Sequence, residues 1–147
     1  MRNIKLALVL LFMVSVISSF GQATHHKIAT TSLAASIASG QKLYVQYCVT
    51  CHQADGGGVP NMNPPLINTS YVLGDKTKLI QIVLNGFNED VLINGKSYSN
   101  AMTPHAFMKD KEIADVLTYV CNSFGNKASR VTALTVKNVR AKLAPIR

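Results

Sequence analysis

Cys48-Val49-Thr50-Cys51-His52 is the segment that most restricts what this chain can fold into. Two thiols and an imidazole in the order C-x-x-C-H form the attachment signature of c-type haem. Each thiol stands where it can make a thioether to a porphyrin vinyl group, and the adjacent imidazole is then aimed at the iron. Other readings of the same residues meet obstacles. A thioredoxin-type dithiol expects a βαβ context, and the chain has almost no strand-like alternation. A structural zinc site needs four ligands, and the remaining cysteine, Cys121, lies about 70 residues away. A disulfide between Cys48 and Cys51 would close too small a loop to stabilise much.

The first 21 residues read as an address. Arg2 and Lys5 give a positive start, Leu6 to Ile17 is an uncharged apolar run, and Ser19-Phe20-Gly21 supplies the small residues of a cleavage site before Gln22. The run is too short to span a bilayer comfortably, so a secretory signal peptide over residues 1–21 is expected, with an uncleaved anchor as the alternative. Export to the periplasm agrees with covalent haem attachment, which consumes the thiols. The 126 residues from Gln22 onward suffice for one domain with one core. The formal charge of +8 falls to +6 when Arg2 and Lys5 are removed. A basic surface can steer association with an acidic redox partner or make transient contact with an anionic membrane face. Nucleic acid is not an expected partner, because the Lys and Arg residues are scattered without interleaved aromatics.

Residues 22–34 are polar and small and read as a linker, with His25 and His26 in it; the domain is expected over 35–147. Ile37, Gly40, Leu43, Tyr44 and Tyr47 recur at helical spacing over 35–47. Gly40 in mid-helix costs about 1 kcal/mol relative to Ala, which predicts a close helix contact there. The Gly/Pro/Asn-rich stretch 55–66 must be a loop. A haem-ligating His usually donates its second ring N–H to a carbonyl or carboxylate, and the Pro64 carbonyl is the candidate acceptor for His52. A second helix is expected after Asp75 as N-cap, carrying Leu79, Ile82 and Val83 to a stop at Asn85-Gly86. Asn94-Gly95 marks a tight turn within an irregular segment and suggests a small hairpin.

Asp110 is the expected cap of the clearest helix, with Ile113, Val116, Leu117, Val120 and Phe124 as its apolar stripe and Gly125 as its C-cap. This stripe should pack on the first helix, with Tyr119 near Gly40 and Tyr44. Cys121 beside it reads as a buried free thiol. The tail 126–147 is basic, and Thr132 can cap a last helix from Ala133 to about Leu143 that docks through Leu134, Val136, Val139 and Leu143.

The other axial position decides function. A haem held by His52 alone is open and reactive, whereas His/Met ligation closes the iron for electron transfer at raised potential. Met62 is too near the motif, and Met108 lies two residues before the expected cap and reads equally as core. Met102, in a loop stiffened by Pro104, is the expected ligand; His105 is its rival, and a core methionine the plain alternative.

The segments CVTCHQADGGGVPNMNPPL, NGKSYSNAM and DKEIADVLTYVCNSFGN make residues 40 to about 143 similar to class I c-type cytochromes of the small bacterial periplasmic kind. The resemblance implies an all-α fold of three to five helices wrapped around one covalent haem c. It also implies attachment through Cys48 and Cys51, His52 as proximal ligand and Met102 as distal ligand. Thr103 departs from that family, in which Pro commonly follows the ligand Met. The expected function is one-electron transfer between a redox donor and acceptor, such as a dehydrogenase, reductase or terminal oxidase, without catalysis. The alternative is a gas sensor or peroxidase-like protein whose distal ligand leaves.

Overall fold

The computed structural model describes residues 32–143; the expected signal peptide, His25 and His26 lie outside the described residues. Helix α1 (Leu33–Tyr47) begins two residues before the expected boundary, inside the 22–34 linker, because the Ser32 hydroxyl accepts the Ala35 N–H at 3.1 Å. Ser36, Gly40 and Tyr44 form its buried face. This face lies along α5 (Asp110–Asn122). Gly40 is where the two helices come closest: a Cβ there would collide with the Asp115 carbonyl oxygen and sit 2.7 Å from Tyr119 Cβ. Tyr44 then meets the rings of Tyr119 and Phe124, each with its centroid 5.3 Å away.

The α5 stripe is buried at Ile113, Val116, Leu117 and Val120, but both of its ends differ from expectation. Lys109, not Asp110, is the N-cap. The Glu112 carboxylate accepts the Lys109 N–H at 2.8 Å, and Asp110, the first helical residue, gives its carboxylate to Arg140 at 2.7 Å. At the other end the cap is Ser123 rather than Gly125. The chain leaves the helix through Phe124 and Gly125, both at positive φ (58° and 81°). Phe124 holds this unfavourable conformation because its ring is packed between Tyr44, Tyr119 and Gly56.

Two single-turn helices, α2 (Val49–His52) and α3 (Ser70–Leu73), precede α4 (Lys76–Asn85). Asp75 caps α4 as expected, accepting the Thr77 N–H at 2.7 Å. The hairpin is present, with β1 (Val91–Ile93) antiparallel to β2 (Lys96–Tyr98) and Val91 opposite Tyr98. Its turn uses Asn94 and Gly95 at positive φ, the combination a type I′ turn requires. Val91, Ile93 and Tyr98 form a small second core against Tyr71 and Phe87.

Helix α6 (Ala133–Leu143) starts at Thr132, whose hydroxyl accepts the Thr135 N–H at 3.1 Å. Its buried residues, Val136 and Val139, face α4 and α5. Leu134 is 65% exposed and Leu143 is exposed too, correcting the four-residue docking face, because of its four apolar residues only Val136 and Val139 fall on the side turned inward. The fold is mostly helical as expected, but the described residues contain six helices rather than three to five. The excess comes from α2 and α3, single turns that leave no periodicity in the sequence. No helix among the described residues is long and apolar enough to cross a membrane.

Candidate functional site

The C-x-x-C-H segment lies where α1 gives way to α2. Cys48 caps α1, donating its N–H to Tyr44 O at 2.9 Å, and the His52 N–H returns to Cys48 O at 2.9 Å. That single turn brings positions i, i+3 and i+4 to one side, so Cys48, Cys51 and His52 all line one cleft. Neither cysteine is disulfide-bonded; Cys48 is half-buried and Cys51 exposed. Burial, reinforced by the neighbouring Cys51, pushes the Cys48 thiol up to about 11.

The glycine-rich loop delivers the partner of the imidazole. Gly58 sits at φ 67° with its N–H on His52 O at 3.0 Å. A Cβ at Gly58 would collide with Asn63 O and lie 2.7 Å from Pro64 O. With that space left free, Pro64 O comes to 3.0 Å from His52 Nδ1. Burial lowers the His52 pKa, the Pro64 carbonyl opposes this, and His105 adds to the lowering. The neutral ring donates Nδ1–H to the carbonyl, which leaves the Nε2 lone pair free for a metal.

Met102 lines the same cleft from a different segment. Its N–H donates to Phe87 O at 2.7 Å and its carbonyl accepts the Phe87 N–H at 3.0 Å, while the His105 N–H reaches Val83 O at 2.8 Å. The strap 102–105 is thus sewn to the end of α4. Gly86, at φ 75°, makes room for it: a Cβ there would collide with Met102 O and lie 3.0 Å from Pro104 Cδ. The other sulfur candidates fall out differently. Met62 is 49% exposed, whereas Met108 is buried in the main core at the cleft wall. His105 also lines the cleft, beside Tyr47 and Phe107, but its buried Nδ1 has no hydrogen-bond partner.

The donor set fits a covalently held haem. The cleft runs from the C-x-x-C-H turn to Met102, with Tyr98 and Leu79 also among its lining residues. Val83, Leu117 and Val120 give it an apolar wall. Two thiols, a neutral imidazole and a thioether line it. The rival chemistries lack their parts. Among the described residues no three His, Cys, Asp or Glu side chains gather around a possible ion, and Cys121 is buried in the core beside Lys76. The described strands form one antiparallel hairpin, not the βαβ unit that a dithiol protein uses.

Two residues with no sequence signal tie down the walls of the cleft. Asn126, buried, donates to Leu66 O at 3.0 Å and Val120 O at 2.8 Å and accepts the Asn68 N–H at 2.8 Å, fastening the loop beyond Pro64 to α5. Arg140 holds the segment beyond Met102. Their partners are mostly backbone groups distant in sequence, so no motif announces them.

Comparison with known proteins gives concordant matches. The profile of the cytochrome c family covers residues 37–123. A cytochrome c-552 of Thermus thermophilus is 37% identical over 120 residues, spanning 75% of this chain and 80% of that protein. The cytochrome c subunit of the quinone alcohol dehydrogenase of Gluconacetobacter polyoxogenes is 35% identical over 112 residues, 73% of this chain and 23% of the subunit. The fructose dehydrogenase cytochrome subunit of Gluconobacter japonicus is 30% identical over 131 residues, 84% of this chain and 26% of the subunit.

Proposed function

The chain belongs to the cytochrome c family, carries covalently bound haem c and transfers electrons, and we propose that Cys48 and Cys51 hold the haem while His52 and Met102 are its axial ligands. Bound haem supplies a one-electron ferric/ferrous couple. The protein's own residues govern how that couple is used. Pro64 O orients the His52 ring and raises its basicity. The Phe87 pairing and the Val83 carbonyl hold the Met102 strap against the cleft.

The observation that carries the assignment is the contrast between the two cleft histidines. His52 has an acceptor on Nδ1, so Nε2 is available as a ligand. His105 does not: its Nδ1 is buried without a hydrogen-bond partner, so no acceptor fixes that ring in an Nε2-ligating tautomer. A thioether needs no such orienting acceptor, and Met102 ligation favours the reduced, electron-carrying form at raised potential.

The protein is an electron-transfer protein and not itself a catalyst. It is exported, on the reading of residues 1–21 as a signal peptide, and works in the periplasm. Its redox partner is a dehydrogenase, a reading supported by the similarity to dehydrogenase cytochrome subunits; a reductase or terminal oxidase completes the electron path. The spectrum of the ferric protein tests the ligand set. A far-red band of Met-ligated low-spin iron should be present, survive His105→Ala and Met62→Leu, and vanish in Met102→Ala. A band that persists in Met102→Ala overturns the assignment.

A further inference from the structure

We infer that Arg140 is a positioning residue for the distal ligand: from α6 its guanidinium pins the segment that follows Met102 and so keeps the thioether in the cleft. The inference rests on Met102 being the axial ligand. Arg140 lies beyond residue 123, where the family match ends.

The segment from Pro104 to Lys109 is neither helix nor strand; His105 O takes the Met108 N–H and Lys109 O the Ile113 N–H, while Ala106 O and Met108 O turn to a side chain for partners. Burial does little for it on the outer side, where Phe107 is 67% exposed. Arg140 supplies a fork instead. Nη1 donates to Ala106 O at 2.8 Å, Nη2 to Met108 O at 2.7 Å, and Nε to the Asp110 carboxylate at 2.7 Å. One rigid, planar cation therefore reads three successive alternate positions, 106, 108 and 110, a geometry a lysine cannot reproduce.

The base of the fork is itself fixed. Val136 and Val139 are buried on the same helix. The ion pair also joins two helix ends of opposite polarity, a carboxylate in the first turn of α5 and a cation in the last turn of α6. The strap 102–105 is sewn to Phe87 and Val83 by backbone bonds, and Arg140 clamps the residues that follow it, so lifting the whole segment off the cleft breaks charge-assisted bonds as well as backbone ones. Both charged groups are about one third exposed, so salt weakens the Asp110 link more than the two carbonyl bonds.

Exogenous imidazole, which competes with Met102 for the ferric iron, provides the test on the holoprotein, read as loss of the far-red band. Arg140→Ala should raise the apparent imidazole affinity roughly tenfold, and Asp110→Asn, which takes the negative charge out of one of the three bonds, by about two- to threefold. Ile80→Val, a core change on α4 away from the cleft, should leave it unchanged while lowering urea stability. Unchanged affinity in both Arg140→Ala and Asp110→Asn overturns the inference, as does an equal rise in Ile80→Val. Should Arg140→Ala fail to fold, Asp110→Asn decides alone. The Met102→Ala spectrum separates the two claims: a band lost there with no change in the Arg140 and Asp110 variants sinks the positioning role and spares the ligand assignment.

Discussion

Cys121 shows how a residue's chemistry follows from what surrounds it. Its thiol is fully buried between α5 and the Val72–Lys76 turn, with Lys76 Nζ at 3.4 Å. Burial raises its pKa, and the ammonium of Lys76 only partly offsets that rise. A raised folded-state value means that the folded protein prefers the protonated thiol. The resulting stabilisation is complete below the unfolded value of about 8.5 and is lost as pH climbs through the folded one. Urea stability of the wild type should therefore exceed that of Cys121→Ala by about 1 kcal/mol at pH 7, and the gap should narrow by pH 10. A gap that widens with pH would show that Lys76 holds a thiolate instead. At this scale the sequence was informative wherever chemistry is written in residue type and spacing. Cys48, Cys51 and His52 were legible as a unit, and Pro64 followed from a loop with free carbonyls. Arg140 and Asn126 were not, since most of their partners are main-chain groups up to 34 and 60 residues away.

Elements were legible where local and tertiary forces agree. Asp75 caps its helix through the Thr77 N–H, and Thr132 caps its own through the Thr135 N–H, with the Thr135 hydroxyl sharing the same oxygen. Asp110 fails as a cap because Arg140 engages its carboxylate, and Glu112 satisfies the backbone one residue earlier. The amphipathic stripe of α5 was readable, but its end was not, because aromatic packing around Phe124 rather than Gly125 decides where the helix stops. Gly40 gives the sharpest test at this scale. Alanine would gain about 1 kcal/mol of helix propensity, yet its methyl group would run into the Asp115 carbonyl and the Tyr119 Cβ, both on a neighbouring helix rather than on a flexible chain end. Overpacking should win, with a net loss of about 2 kcal/mol in urea unfolding. A more stable Gly40→Ala protein would mean that the α1–α5 pair can part without penalty.

For the molecule as a whole, one cleft receives residues from α2, the Pro64 loop, α4, α5 and the Met102 strap, and hydrogen bonds fix the Pro64 loop and the strap against its helical walls. That arrangement suits a carrier, whose centre must stay the same in both redox states. The reading of residues 1–21 as a signal predicts that the exported protein begins at Gln22, as its intact mass will show; a mass retaining the first residues would indicate an anchor. The central claim is that the C-x-x-C-H thiols hold a one-electron haem centre instead of acting as a dithiol. Spectroelectrochemical titration of the protein, produced in a host able to attach haem, tests it most directly. A reversible wave with a slope of about 59 mV per tenfold change in the oxidised-to-reduced ratio, tracked by the far-red ferric band, is the expected result. A colourless chain, or a wave with a slope of about 30 mV from a two-electron dithiol couple, would contradict it.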